Sequence, residues 1–318
     1  MLTKTILFTE ETHPILTEKL TNAGFICRYF PELTKNKLIK TIHQYFGLIT
    51  RSKFTIDKNI IDAVSQEFKF IGRVGAGMEN IDIKYAGQKG ITCFNSPEGN
   101  RDAVGEHALG LLLSLLNNIN RSNNEVKNGI WLREENRGFE IKGKTIGIIG
   151  YGNMGSAFAK RLSGFGANVI AYDKYKTNYS DSYVQEKSIT DLFKDADIIS
   201  IHVPLTKETE YMINDAFINQ FIKNIYIINT ARGKVLKTKD LVKNLKTGKV
   251  IGVALDVLEY EKSSFENLHT SLQLPDAFNY LINNNSNVIL TPHIAGWTHE
   301  SNIKLSEVLA DKIIKEFA

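Results

Sequence analysis

The sequence predicts an α/β protein made of two doubly wound parallel-sheet domains. Three observations carry this reading. Short β-branched runs alternate with helical stretches along nearly all of the 318 residues, the pattern of parallel strands joined by crossover helices. One such run, Thr145–Ile149, ends in Gly150-Tyr151-Gly152-Asn153-Met154-Gly155, a glycine turn that opens a helix. Residues 1–98 alternate in the same way but carry no glycine turn of this kind, which makes them a partner domain with a different task.

Taken in order, strands are expected at residues 6–9, 25–30, 48–50, 70–74 and 91–94, separated by helices at 12–22, 35–43, 57–65 and 82–89. Ligands of open α/β sheets gather at the carboxyl ends of strands. Arg51-Ser52 follows one such end, and there Arg51 is a candidate to hold an anion, against the plainer reading of a surface arginine. Residues 73–82 leave another, where Gly75 and Gly77 free the backbone N–H groups around Ala76 to meet a carboxylate, against a plain turn.

Pro97 marks a change of regime. From Arg101 to Leu116 the chain reads as a helix that is apolar on nearly every side, hence buried in a core or a subunit interface. The polar run 117–128 and Trp131 that follow suit either an arm laid on a second subunit or a solvated loop.

The glycine turn comes next, and each position has a mechanical task. Gly150 permits the tight bend, Gly152 lets the backbone approach a pyrophosphate, and Gly155 allows the helix to pack closely on the strand. The helix, expected over 156–164, offers free N–H groups and a partial positive charge to phosphates. A second strand, Asn168–Tyr172, delivers Asp173, eighteen residues past Gly155 (173 − 155). Strand, glycine turn, helix, strand and acid together form the dinucleotide fingerprint in its required context. Asp173 would accept hydrogen bonds from the adenosine ribose and repel a 2′-phosphate, so the expected cofactor is NAD; Lys174 next door weakens that preference slightly.

Beyond it the alternation resumes. A helix closes at 191–194, a strand and turn cover 197–204, and Ile225–Asn229 ends in Thr230-Ala231-Arg232-Gly233. A helix at 240–246 precedes a strand at 251–255 that ends at Asp256, and Val288–Leu290 runs into Thr291-Pro292-His293. Three strand ends thus bring Arg232, Asp256 and His293 to the rim that also carries the glycine turn, with Glu261 on the loop after Asp256. One histidine or arginine alone is more often structural. Their convergence on a nucleotide-binding rim makes them the chemical centre.

Composition narrows the alternatives. With 42% hydrophobic and 23% charged residues the chain is of ordinary soluble type. Its net charge, 39 − 35 = +4, is too small and scattered to favour nucleic acid. Cys27 and Cys93 lack any metal-binding spacing, so no metal is expected and both read as reduced core residues of a cytoplasmic protein. The first residues run straight into a strand without a secretory or membrane-spanning stretch, so no membrane partner is expected.

The ordered motifs resemble those of the D-isomer-specific 2-hydroxyacid dehydrogenase family, which includes D-3-phosphoglycerate, D-lactate, glycerate and formate dehydrogenases. The likeness rests on residues 150–155 with Asp173, on His202-Val203-Pro204-Leu205-Thr206, on Asn229-Thr230-Ala231-Arg232-Gly233, on Leu255-Asp256-Val257 through Glu261, and on Thr291-Pro292-His293-Ile294-Ala295-Gly296. It implies a Rossmann NAD-binding domain at residues 99–297, inserted in a flavodoxin-like substrate domain made of residues 1–98 and 298–318. It also implies a homodimer through the nucleotide-binding domain. NAD would be held by Tyr151, Gly152, Asn153, Met154, Asp173, His202, Val203, Pro204, Thr230, Ala231, Arg232, Asp256, His293 and Gly296.

The family's catalytic roles would fall on Arg232, which binds the substrate carboxylate and polarises the keto oxygen, and on His293 as general acid and base. Glu261 would pair with His293 and favour its protonated form, Asp256 would contact the nicotinamide side, and the Ala76-Gly77 backbone would hold the carboxylate. Three features depart from the pattern: Lys262 stands where proline is usual, Trp297 where a small residue is usual and close enough behind His293 to narrow the pocket, and the segment 263–287 is longer than the common form, suggesting a lid or subunit contact.

Arg51, Ser52 and Asn100 match positions that lie near the substrate phosphate in phosphoglycerate dehydrogenases. The expected substrate is therefore the small-molecule pair D-3-phosphoglycerate and 3-phosphohydroxypyruvate of serine biosynthesis, in a chain without the regulatory domain that some relatives append. The alternatives are a hydroxypyruvate, glyoxylate or D-lactate type reductase with the same residues, and, outside the enzymes, an NADH-sensing binding protein resembling the C-terminal-binding-protein corepressors. Formate dehydrogenases are disfavoured because they replace the partner of the histidine.

Overall fold

The alternation of strand and helix is realised as two all-parallel sheets, one of five strands and one of seven. The computed structural model describes residues 4–261, 274–284 and 286–318. The chain divides into one unit of residues 1–101 and 297–318 and a second of residues 102–296.

The first unit runs β1 (Thr5–Phe8), α1 (Pro14–Asn22), β2 (Ile26–Tyr29), α2 (Lys35–Thr41), β3 (Gly47–Thr50), α3 (Lys58–Ile61), β4 (Phe70–Arg73), α4 (Ile83–Gln88) and β5 (Thr92–Phe94). Its strand order is β2-β1-β3-β4-β5, the flavodoxin-like arrangement. Thr34, Asp57 and Asp82 start their helices by accepting from the N–H of Lys37, Ile60 and Tyr85, so the orphan donors of each first turn are partly met. α3 stops at Ile61, short of the expected residue 65. One face of the sheet buries Leu7, Leu48 and Ile71 under Leu38 and Ile60. The other buries Ile6, Phe8 and Phe70 against Leu305, Leu309 and Ile313 of a C-terminal helix, His299–Phe317. The Phe317 ring closes that core against Phe46, Phe70 and Phe94, with centroids 5.6, 5.5 and 6.1 Å away.

The second unit begins within α5 (Arg101–Leu116) and continues through α6 (Ile119–Lys127), β6 (Thr145–Ile149), α7 (Asn153–Leu162), β7 (Asn168–Tyr172), β8 (Gln185–Glu186), α8 (Ile189–Asp195) and β9 (Ile198–Ile201). Then come α9 (Asp215–Ile218), β10 (Ile225–Asn229), α10 (Thr238–Lys246), β11 (Val250–Leu255), α11 (Asp276–Asn283) and β12 (Val288–Leu290). The strand order is β12-β11-β10-β9-β6-β7-β8. The chain lays β7 and β8 on one side of β6 and then crosses to β9 on the other. That reversal opens a crevice at the carboxyl ends of β6 and β9, where Rossmann sheets bind nucleotides.

α5 places its apolar residues, among them Ala108, Leu112 and Leu116, in the core beside β6 and α7, which accounts for its lack of a polar stripe. Gly105 on this helix is a point of close approach, since a Cβ there would lie 2.9 Å from the carbonyl oxygen of Ala157 on α7. The run 117–128, expected as an arm or loop, contains α6, a helix that buries none of its residues. α7 starts at Asn153 rather than 156, so the glycine turn itself supplies the first helical turn. The long segment 263–287 lies partly outside the described residues, as does Lys262. Its described part includes α11, whose Phe278 and Leu281 are buried in the same core as Leu241 and Leu245 of α10. No helix among the described residues is long and apolar enough to cross a membrane.

Candidate active site

The residues singled out from the sequence separate into two groups, one in each unit. In the second unit the glycine turn is shaped by close backbone approach. Gly150 has φ +93°, and a Cβ on it would sit 2.7 Å from the carbonyl oxygen of His202. A Cβ on Gly155 would lie 2.1 Å from the carbonyl oxygen of Gly150, so helix and strand meet at a distance only glycine permits. Gly152 faces open space and caps α7 without any side-chain hydrogen bond. The N–H groups of Asn153, Met154 and Gly155, all in the first turn of α7, find no acceptor among the described residues. Such an uncapped helix start, open to solvent over a glycine, suits a pyrophosphate.

Asp173 stands beside this turn at the end of β7. Its Oδ2 accepts the Tyr151 N–H at 2.8 Å and its Oδ1 accepts the Tyr175 and Lys176 N–H groups at 2.9 and 3.1 Å. Each carboxylate oxygen offers two lone pairs, so Oδ2 keeps one for a ribose hydroxyl. The chain therefore fits NAD at both its pyrophosphate and its ribose. Lys174, expected to weaken the preference against a 2′-phosphate, is engaged by Glu208, which also takes the Tyr175 hydroxyl at 2.6 Å. Below the turn the Tyr151 ring stacks on Tyr179 at 5.0 Å and its hydroxyl donates to Asp181 at 3.0 Å.

At the end of β9, His202 faces inward. Its Nε2 lies 2.8 Å from the Ser200 hydroxyl, and its ring is 5.6 Å from that of Phe158. Burial pushes its pKa down to about 3, so the ring stays neutral. Val203 and Pro204 continue outward from it, with Pro204 exposed.

Arg232 leaves β10 through Thr230 and Ala231. The Asn229 side chain ties this bend by accepting the Ala231 N–H at 3.0 Å and donating to the Arg232 carbonyl at 3.1 Å. Gly233 follows because a Cβ there would fall 2.0 Å from the Leu258 backbone. The guanidinium donates to the Ala231 carbonyl at 2.6 Å.

His293 occupies the turn after β12 with φ +58°, a left-handed backbone uncommon outside glycine. Its Nδ1 is 3.2 Å from both carboxylate oxygens of Glu261. The Glu261 carboxylate thus fixes the orientation of the ring through Nδ1.

Asp256, expected beside the nicotinamide, instead points its carboxylate into the protein and is fully buried. Oδ1 accepts the Thr291 hydroxyl at 2.6 Å and the Ile294 N–H at 2.9 Å, and Oδ2 accepts the Ala295 N–H at 2.8 Å. His107 of α5 approaches Oδ1 to 3.4 Å. Burial raises this carboxyl's pKa, but these donors outweigh it and hold the group below the usual carboxylate range. Gly296 ends the same turn. Sequence reasoning passed over His107 because a histidine on an apolar helix looks like packing.

The first unit holds the rest. Glu10, also unanticipated, receives the Thr50 hydroxyl at 3.0 Å and the N–H groups of Arg51, Ser52 and Lys53 at 2.6, 3.0 and 3.1 Å. What remains there for a ligand is the Arg51 guanidinium and the Ser52 hydroxyl. The guanidinium lies over the Trp297 ring, 4.8 Å from its centre, and donates weakly to the Glu11 carbonyl at 3.4 Å. At the end of β4, the carbonyls of Ala76 and Gly77 are held by Asn95 and Arg73, while their N–H groups find no acceptor among the described residues. Asn100 is enclosed, its Oδ1 without a partner among the described residues.

A family model described as "D-isomer specific 2-hydroxyacid dehydrogenase, NAD binding domain" matches residues 109–295. The hydroxypyruvate reductase of Thermotoga maritima is 37% identical over 284 residues, 89% of this chain and 89% of that one. The D-3-phosphoglycerate dehydrogenase of Archaeoglobus fulgidus is 34% identical over 89% of this chain, which spans about half, 51%, of that longer protein. Among solved structures, the D-lactate dehydrogenase of Aquifex aeolicus, complexed with NAD and lactic acid, superposes with a TM-score of 0.82 at 28% identity, covering 98% of this chain and 95% of that one.

Replacing Asp173 by alanine removes charged acceptors worth about 1.5–3 kcal/mol each and should lower the NADH-over-NADPH ratio of kcat/KM by about tenfold or more. Steady-state kinetics with both nucleotides checks this, and an unchanged ratio would place the discrimination elsewhere.

Proposed function

The chain belongs to the D-isomer specific 2-hydroxyacid dehydrogenase family, and from that premise we propose that it interconverts a short, unphosphorylated 2-keto acid, hydroxypyruvate or glyoxylate, and its D-2-hydroxy acid. The observation that carries the reading is the His293–Glu261 pair on the rim that holds the nucleotide fingerprint. NAD, when bound, supplies or takes up the hydride. Arg232 binds the substrate carboxylate and polarises the keto oxygen, a task suited to a planar fork of N–H donors. The Ala76 and Gly77 N–H groups of the first unit are backbone donors of the kind that meet a carboxylate. In reduction His293 donates its Nε2 proton to the keto oxygen while the carbonyl carbon receives the hydride; in oxidation the same nitrogen takes the hydroxyl proton. Glu261 orients the ring through Nδ1.

The preference for an unphosphorylated acid rests on Arg51. Trp297 covers one face of its guanidinium, Glu10 opposes its charge, and the neighbouring N–H groups are already spent on Glu10. Burial lowers the Arg51 pKa and the Glu10 charge raises it. A phosphate dianion would meet one cation whose charge is largely matched. The second reading, 3-phosphohydroxypyruvate in serine synthesis, is favoured by the presence of Arg51 and by the phosphoglycerate dehydrogenase among the relatives.

A second copy of the chain is the partner this reading includes. α6 and the residues after it expose Val126, Ile130, Leu132 and Phe139, with Trp131 80% exposed. Several of them line a hollow of about 330 Å³. An apolar patch of this kind marks an interaction surface, and it supports a homodimer built through the nucleotide-binding domain.

Three outcomes are expected. His293→Ala should lower kcat by about 10²–10⁴-fold with NADH affinity retained, since the proton donor alone is lost; rapid turnover in the variant would remove His293 from that role. In a panel of 2-keto acids, hydroxypyruvate or glyoxylate should give the highest kcat/KM, and Trp297→Ala should improve 3-phosphohydroxypyruvate relative to both. A wild-type preference for the phosphorylated acid would establish the second reading, and silence on the whole panel with NADH still bound would favour an NADH-sensing binding protein. Analytical ultracentrifugation should find a dimer that Trp131→Glu converts to monomer; a monomeric wild type refutes the assembly.

A further inference from the structure

We infer that His107 is a positioning residue for the proton donor, acting on His293 through Thr291 and Asp256 without touching substrate; the inference rests on the reading of His293 given above. α5 is otherwise apolar where it meets the core, yet it turns His107 toward the end of β12 with the side chain 23% exposed. Nε2 lies 3.2 Å from the Thr291 hydroxyl and 3.4 Å from Asp256 Oδ1. The Thr291 hydroxyl hydrogen is already spent on Asp256 at 2.6 Å. Only a lone pair therefore remains on Thr291 for the imidazole, and Nε2 must carry the hydrogen that His107 gives to this pair of oxygens.

The consequence passes along the turn. Asp256 takes the Ile294 and Ala295 N–H groups through its carboxylate, and its main-chain carbonyl takes the His293 N–H at 2.7 Å. Thr291 N–H is held by the Leu255 carbonyl at 3.0 Å. Residues 291–295 are thus pinned on both sides of His293, whose backbone sits at φ +58°. A residue with a side chain keeps that conformation only while its surroundings impose it. Without the His107 donor, a fully buried carboxylate and the Thr291 hydroxyl lose the N–H that faces them, the pinning loosens, and the turn can relax toward negative φ. That relaxation carries the His293 ring away from the line between Glu261 and the substrate oxygen. His107 therefore acts on proton transfer and leaves the nucleotide turn, which shares none of these bonds, intact.

The test uses the full chain and four variants: His107→Leu, His107→Gln, Thr291→Val and the Leu/Val double. His107→Leu should lower kcat by about ten- to a hundredfold, the scale of an ångström-sized misplacement, with the NADH dissociation constant unchanged. The solvent deuterium isotope effect on kcat should rise, because proton transfer becomes the slow step; a packing defect alone would leave it unmoved. His107→Gln keeps an N–H donor and should recover most of the rate. The double variant should be no slower than the slower single, since both changes break one network. Wild-type kcat in His107→Leu, no recovery with glutamine, or fully additive losses would overturn the inference. If His107→Leu does not fold, Thr291→Val, which exchanges a hydroxyl for a methyl, carries the kcat and isotope measurements alone. His293→Ala separates the two claims: an active His293→Ala removes the underlying reading, whereas an inactive one beside a fully active His107→Leu overturns only the positioning role.

Discussion

A single buried carboxylate, that of Asp256, sets the conditions under which the rim of the second sheet is organised. A charge without solvent contact must be met by donors or it does not stay charged. Here those donors come from Thr291, Ile294 and Ala295 on the turn after β12 and from His107 on α5. The turn that presents His293 is therefore an answer to an electrostatic demand made by the end of the neighbouring strand. The left-handed backbone of His293 follows from that arrangement, because the N–H groups on either side of the ring are already assigned.

The nucleotide end of the rim works by steric exclusion. Between Gly150, Gly155 and the His202 carbonyl there is no room for a Cβ, and the tightness brings the start of α7 to the crevice with its N–H groups unspent. Asp173 then fastens the turn from outside through the Tyr151 N–H while keeping acceptor capacity for the ribose. One acid shapes the turn that carries His293 from within, and another fits the cofactor from the surface. Their different burial is what assigns them different tasks.

Much of the fold was legible because its signals are local. β-branched runs, the glycine spacing and the acid at a strand end each reflect a backbone requirement confined to a few residues, and together they define two parallel sheets and a dinucleotide site. What escaped depends on side-chain direction or on distant pairing. The position of Asp256 at a strand end could be read, whereas the inward turn of its carboxylate is decided by donors 35–39 residues away. Trp297 and Arg51 meet across 246 positions (297 − 51), and nothing near either one announces the other. Glu10 was unremarkable until β3 placed three consecutive N–H groups before it. β8 has two residues and α9 four, too few to show a period. α6 hides in a polar run because it buries none of its residues.

The core of the first unit joins Ile6, Phe8 and Phe70 to Leu309, Ile313 and Phe317, and the 195 residues of the second unit (296 − 102 + 1) are interposed in the chain. During synthesis the early strands leave the ribosome with one sheet face bare, and at roughly 5–20 residues per second they wait about 10–40 s for the helix that covers it. The second unit is continuous in sequence and can close behind them in the meantime. Translation order thus lets the unit that carries the nucleotide turn mature first, while the nascent amino-terminal sheet keeps the face with Phe8 and Phe70 uncovered.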